Sequence, residues 1–323
     1  MPPGLKHAGK VAVLPLFCTI ASAFQSSAGP IEIIPRAVPK VATSPVVRVD
    51  SSLVLIPVHV VRSDGATVTD LRKENFELFE DGVRQTITHF TRDDAPVSAG
   101  LILDVSGSMR NKMTKASEAA AEFFKFANPE DEFFLVEFNG HARLTVPFTR
   151  DWSSIFDQIA HARASGMTAM LDGINLAVEQ MKHARNTRKA LVIVSDGGDN
   201  FSRRSLRELK AILIESDVQV YSLGVFDHNY ASRHSPEERN GPSLLDEVAL
   251  DTGGHTFPVT LDALPEIGAQ IARELRNQYV LGYSPAAVMT DGKYHKVNLK
   301  LAAPNAETDL RAYYRQGYYA PEQ

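Results

Sequence analysis

The sequence predicts an α/β fold: a doubly wound, mainly parallel sheet with helices on both faces, flanked by a small β-sandwich built from its N- and C-terminal segments. Three observations carry this. Between about Pro96 and Gln278, short apolar runs alternate with stretches of helical spacing, and strands buried on both faces read as unbroken apolar runs. The segments on either side instead alternate apolar and polar residues, with turn signals at Ser63-Asp64-Gly65, Asp81-Gly82 and Asp291-Gly292. Neither flank is long enough to bury a core alone, so the two are expected to pair with the α/β region inserted between them.

Taken in order, residues 1–23 place Lys6 and Lys10 before an apolar run from Val11 to about Ile20 that ends in Ala21-Ser22-Ala23. A positive start, a short apolar centre and an A-x-A end predict a secretory signal peptide cleaved after Ala23. The run contains Pro15 and is shorter than the 20 or so apolar residues a spanning helix needs. A retained membrane anchor is the competing expectation. Cys18, the one cysteine, lies inside this segment, so the mature chain is expected to be cysteine-free and without a disulfide. Residues 24–47 are rich in Pro, Ser and Ala without a sustained period and read as an extended linker.

Residues 48–95 form the N-terminal β segment. The α/β domain, 96–278, then offers strands at "SAGLILDV", "EFFLVEF", "ARLTVPF", "ALVIVS", "VQVYSLGV" and "HTFPV". Between them, helical spacing runs through "NKMTKASEAAAEFFKFA", "WSSIFDQIAHARA", "LDGINLAVEQMKHA", "SLRELKAILIES", "SLLDEVALDTG" and "LDALPEIGAQIARELRNQ". The Asn139-Gly140 connection predicts one antiparallel hairpin in the otherwise parallel sheet. Residues 279–323 return to strands at "YVLGYSP", "KYHKVNLKLAA" and "DLRAYYRQGYYAP". Composition is that of an ordinary globular chain: 323 residues, 44% hydrophobic and 23% charged, with a formal charge of −5. No basic tract interleaved with aromatics appears, which argues against a nucleic-acid partner. Without Lys6 and Lys10 the 34 basic residues fall to 32 against 39 acidic ones.

In an open α/β sheet, ligands bind beyond the carboxyl ends of the strands, near where strand order reverses. Three loops fall at or near such ends: Asp104-Val105-Ser106-Gly107-Ser108, Ser165-Gly166-Met167-Thr168 and Ser195-Asp196-Gly197-Gly198-Asp199. They offer carboxylates at Asp104 and Asp196 and hydroxyls at Ser106, Ser108 and Thr168, hard oxygen donors suited to Mg2+ or Mn2+ rather than zinc. Asp104, Ser106 and Ser108 alternate, so a chain leaving its strand near-extended turns all three to one side. Two carboxylates and three hydroxyls do not complete an octahedral shell once some act through water. One position then stays open, and a partner's Asp or Glu carboxylate suits it.

"DVSGS", the threonine of "SGMTAM" and the aspartate of "VIVSDG" resemble, in order and strand context, the metal-ion-dependent adhesion site of von Willebrand factor type A domains. The resemblance covers about Pro96 to Gln278 and implies that Asp104, Ser106, Ser108, Thr168 and Asp196 hold a divalent cation. "NFELFEDGVRQTITHF", "ELRNQYVLGYSP" and "GYYAP" also resemble the bacterial von Willebrand-A-related exported proteins first grouped in Acidobacteria. Where integrin β-subunits carry further acidic residues, this chain has Met109-Arg110-Asn111-Lys112, so an adjacent second cation is not expected. Many relatives place two glycines where Gly166-Met167 stands.

Other readings of these residues are blander. Alone, Asp104 fits a cap for a helix beginning near Asn111. Asp199 reads as a loop aspartate and Asp172 as helix N-terminal charge. His141, His161, His183, His228, His234 and His255 lack ligand spacing and default to surface or turn positions. The polar stretch from Phe226 to Ser243 is either a loop excursion or a rim around the metal face. The closing tyrosines read as core and cross-strand pairs of a final strand. As a nucleophile, Asp104 lacks the second acid that phosphate-transferring hydrolases place two residues on, because Ser106 stands there. G-x-S-x-G and G-x-x-x-x-G-K-[ST] motifs are missing too. The expected function is therefore an exported, non-catalytic, metal-dependent adhesion module. Its alternative is a structural component of a cell-envelope assembly whose metal only stabilises the fold.

Overall fold

The computed structural model describes residues 53–322 apart from 93, 227–239, 286–290 and 303–308. The predicted signal segment, 1–23, and linker, 24–47, lie outside the described residues, as does most of the Phe226–Ser243 stretch.

The chain enters through β1 (Val54–Arg62), β2 (Phe76–Glu80), β3 (Val83–Gln85) and β4 (His89–Thr91). It then builds the α/β region from β5 (Val97–Asp104), α1 (Met113–Phe124), β6 (Glu132–Phe138), β7 (Ala142–Thr149), α2 (Trp152–His161) and α3 (Met170–Met181). This continues with β8 (Arg188–Ser195), α4 (Leu206–Ser216), β9 (Gln219–Val225), α5 (Gly241–Leu250), β10 (Thr256–Val259) and α6 (Leu264–Arg276). The exit runs through β11 (Tyr279–Tyr283), β12 (Tyr294–Leu301), β13 (Leu310–Tyr314) and β14 (Gly317–Tyr319).

The central sheet has the order β10-β9-β8-β5-β6-β7. Every pair is parallel except the β6–β7 hairpin. All eight residues of β5 are buried. Its alternate residues Val97, Ala99, Leu101 and Leu103 meet Ala116, Ala119, Phe123, Ile155 and Ile271, so α1, α2 and α6 cover one face. Ile102 points the other way, into a second core with Ile174, Val178, Leu209 and Leu245, beneath α3, α4 and α5. A sheet coated on both sides needs apolar residues at every strand position, which is why these strands show no alternation. Each fully buried aliphatic side chain there stabilises by roughly 1.5–3 kcal/mol.

The flanking strands form two four-stranded sheets, β13-β1-β11-β4 and β14-β12-β2-β3. Ile56, Val58 and Val60 of β1 share a core with Leu78 of β2, Leu281 of β11 and Val297 and Leu299 of β12. N- and C-terminal strands thus interleave in both sheets. The closing stretch departs from expectation: "DLRAYYRQGYYAP" is two strands in different sheets, β13 on β1 and β14 on β12. The break falls at Arg315, whose guanidinium binds Asp217 and the Leu55 carbonyl and so turns the chain between the sheets. Its tyrosines are mostly structural, with the Tyr318 hydroxyl bound to Glu80 and Tyr314 accepting from the Leu299 N–H.

His255 corrects the surface default for the scattered histidines. It stacks on Tyr313 with ring centroids 3.9 Å apart, and its Nε2 lies 3.7 Å from Glu274, a fully buried carboxylate. His59 of β1, also fully buried, lies 3.6 Å from the other oxygen of Glu274. His141, His161 and His183 are exposed.

Candidate metal centre

Strand order reverses at β5: the chain moves outward through β6 and β7, then crosses back to place β8 on the other side of β5. The carboxyl ends of β5 and β8 are therefore neighbours at the switch point, and Asp104 and Ser195 end those two strands. The loop carrying Thr168 is drawn to the same edge by main-chain bonds. The Ser165 N–H donates to the Val105 carbonyl at 2.8 Å, and the Gly107 N–H to the Gly166 carbonyl at 3.0 Å. From the third loop, the N–H groups of Asn200 and Phe201 donate to the Thr168 carbonyl, each at 3.0 Å. Asn200 Oδ1 accepts from the Thr168 N–H at the same distance.

Asp104, Ser106, Thr168 and Asp196 are buried, whereas Ser108 is exposed. Asp104 Oδ1 accepts from the Ser106 N–H at 2.8 Å and Oδ2 accepts from the Ser195 hydroxyl at 2.6 Å. The Ser106 and Ser108 hydroxyls stand 3.1 Å apart, as their alternate positions predict. Gly197 has φ +82°, and a Cβ there would lie 2.6 Å from the Gly241 carbonyl carbon. Only glycine lets the third loop turn there against the start of α5.

Burial pushes the Asp104 carboxyl up to about 7, and the nearby Asp196 charge adds to the effect. Two buried carboxylates that repel each other are costly unless a cation compensates them. Lys112 supplies one such charge. Its Nζ donates to Asp196 Oδ2 at 2.9 Å and to the Val225 carbonyl at 3.3 Å. Among the described residues no group of three or more His, Cys, Asp or Glu is arranged to hold a metal. The loops instead offer two carboxylates and three hydroxyls, an all-oxygen chemistry with paired buried negative charge that fits Mg2+ or Mn2+.

Asp104 does not cap a helix: α1 begins at Met113 without a side-chain cap, and both oxygens of Asp104 are engaged elsewhere. Asp199 accepts from the Met170 N–H and the Ser202 hydroxyl, pinning the start of α3 to the third loop. Burial raises its carboxyl above the usual range. Asp172, in the first turn of α3, accepts from the N–H groups of Arg203 and Arg204. Both brace the loops. Ser195 and Lys112 escaped the sequence reading as members of the centre. Ser195, whose hydroxyl also accepts from the Gly197 N–H, was legible as the residue before Asp196. For Lys112 no local signal existed, because its partners are 84 and 113 positions away.

Residues 100–198 match the family model described as the von Willebrand factor type A domain. An uncharacterised protein of Borreliella burgdorferi is 25% identical over 183 residues, half of this chain and 53% of its own length. Mouse inter alpha-trypsin inhibitor heavy chain 4 is 24% identical over 237 residues, 64% of this chain and 24% of its own. The chain thus spans about half or less of the length of these relatives. A von Willebrand factor type A structure from Catenulispora acidiphila aligns over 76% of each chain with 13% identity and a TM-score of 0.49. The switch-point sheet, its three loops and the match over residues 100–198 together identify a von Willebrand factor type A domain within this chain.

Proposed function

We propose that this chain is an exported, non-catalytic protein-binding module that works through a divalent cation. Asp104, Ser106, Ser108, Thr168 and Asp196 would hold Mg2+ or Mn2+. When bound, the ion supplies a hard Lewis-acid position for an external oxygen ligand. A partner's Asp or Glu carboxylate is the ligand that matches it. The observation that carries this reading is the burial of Asp104 beside Asp196 at the switch point, under three loops clasped by main-chain bonds. An open side facing solvent is supported by the exposure of Ser108, Met167 and Phe201, the last two flanking Gly140 as an apolar rim.

Export rests on the segment at 1–23; no helix among the described residues is long and apolar enough to cross a membrane. Isothermal titration of Mg2+ into the wild type and Asp104→Ala tests the site. Saturable heats in the wild type and none in the variant are expected, and equal heats in both contradict the proposal. The structural alternative, in which the metal only stabilises the fold, predicts partner capture that survives a chelator.

A further inference from the structure

Lys112 occupies a place that neither capping nor surface solvation explains. It precedes α1, yet its side chain is only 14% exposed and reaches the third loop and the end of β9. There its ammonium makes two contacts, 2.9 Å to Asp196 Oδ2 and 3.3 Å to the carbonyl of Val225, the last residue of β9. The second contact ties the charge to the rim of the sheet, so it is anchored independently of Asp196. Among the described residues around the three loops, Asp199 is engaged by Met170 and Ser202, and Asp172 by the backbone of Arg203 and Arg204.

Formal charge then has a consequence for the ligand. Asp104 and Asp196 bring two negative charges and a divalent ion would cancel both. Among the described groups at the three loops, the Lys112 ammonium then stays as one positive charge in surplus, at a site where charges interact several times more strongly than in water. We propose that Lys112 is a built-in counter-charge that loosens the hold on the divalent ion and makes the loaded site select an anionic ligand over a neutral one. It is a positioning and specificity residue rather than a metal ligand. The inference rests on the metal reading above and assigns the ligand class to the charge, not to the ion alone. A neutral carbonyl or hydroxyl leaves the surplus in place, whereas one carboxylate removes it.

Mn2+ affinity measured by calorimetry, followed by acetate titration of the Mn2+-loaded protein read by water-proton relaxation, tests this in four chains. They are the wild type, Lys112→Met, Lys112→Gln and Lys112→Arg, each checked for fold by circular dichroism. Methionine and glutamine remove the charge, and glutamine keeps a donor for Asp196. Both are expected to bind Mn2+ about tenfold or more tightly than the wild type. Both should also bind acetate about tenfold or more weakly once loaded. Arginine is expected to keep wild-type behaviour on both measures. A merely structural lysine would move neither affinity in opposite directions. Equal Mn2+ and acetate affinities across the four chains leave the metal reading intact and overturn the role of Lys112. If none of the four takes up Mn2+, the metal reading itself falls and this inference falls with it.

Discussion

At the scale of single residues, Asp104 ties the stability of the fold to pH. Its carboxyl titrates at about 7 in the fold against 3.8 for the free group, chiefly because it is buried. A carboxyl raised in this way holds its proton in the folded state after the unfolded chain has released it. Chelated protein therefore loses stability as pH rises from about 4 to 7. Asp104→Asn keeps the shape without the charge. In chelator at pH 8 it is expected to melt a few degrees above the wild type, while losing any rise in Tm on adding Mn2+. Differential scanning calorimetry across that pH range, with and without metal, checks both. Ser195→Ala leaves the ionised Asp104 Oδ2 without its 2.6 Å donor and should cost on the order of 1–3 kcal/mol at pH 8 in chelator by urea melting. Gly197→Ala forces a side chain into backbone at a positive φ, so a loss of at least about 1 kcal/mol is expected, with weaker metal binding.

At the scale of elements, the sheet that places the site also joins the two β flanks through a polar seam. Glu274 of α6 lies between His59 of β1 and His255, just before β10, and Gln270 donates to its Oε1 at 3.0 Å. Burial drives His255 down to about 4, a shift that Glu274 opposes and His59 reinforces. Here the sign is reversed from that of Asp104. The unfolded chain takes up a proton near 6.5 that the folded His255 refuses, so stability is full above that pH and falls as pH drops toward 4. Subtracting a His255→Gln melting profile from the wild type isolates this contribution, on the order of 3 kcal/mol at pH 4. A flat difference between pH 4 and 7 would contradict it.

Strand and helix types in the α/β region were legible because apolar runs and 3.6-residue spacing are written along each element. The three loops were legible because the oxygen donors stand at strand ends beside glycines. Pairing was harder to read. "DLRAYYRQGYYAP" carries one alternating pattern, and only the distant contacts of Arg315 with Asp217 and Leu55 divide it between sheets. Lys112 and the His59–Glu274–His255 seam were hidden for the same reason: each meets its partners through topology rather than spacing.

At the scale of the whole molecule, the α/β region is a loop of a sandwich that its own neighbours complete. β1 sits between β11 and β13, and β2 between β3 and β12, so strands from both ends of the chain are needed for either sheet. A chain ending at Pro285 would leave β1 with one neighbour and remove Val297, Leu299 and Tyr318 from the shared core. That truncation is expected to abolish the cooperative unfolding of the sandwich, with trypsin cutting first in residues 53–92. The three loops lie at the carboxyl edge of the central sheet, and their fold is set by β5, β8 and α3 rather than by the flanks. Anomalous diffraction from crystals grown with MnCl2 tests the central claim most directly. The account predicts one Mn2+ peak among Asp104, Ser106, Ser108, Thr168 and Asp196, lost in Asp104→Ala, with a coordination position held by water or a carboxylate from outside the chain. No peak there, or a shell closed entirely by the chain's own side chains, would contradict it.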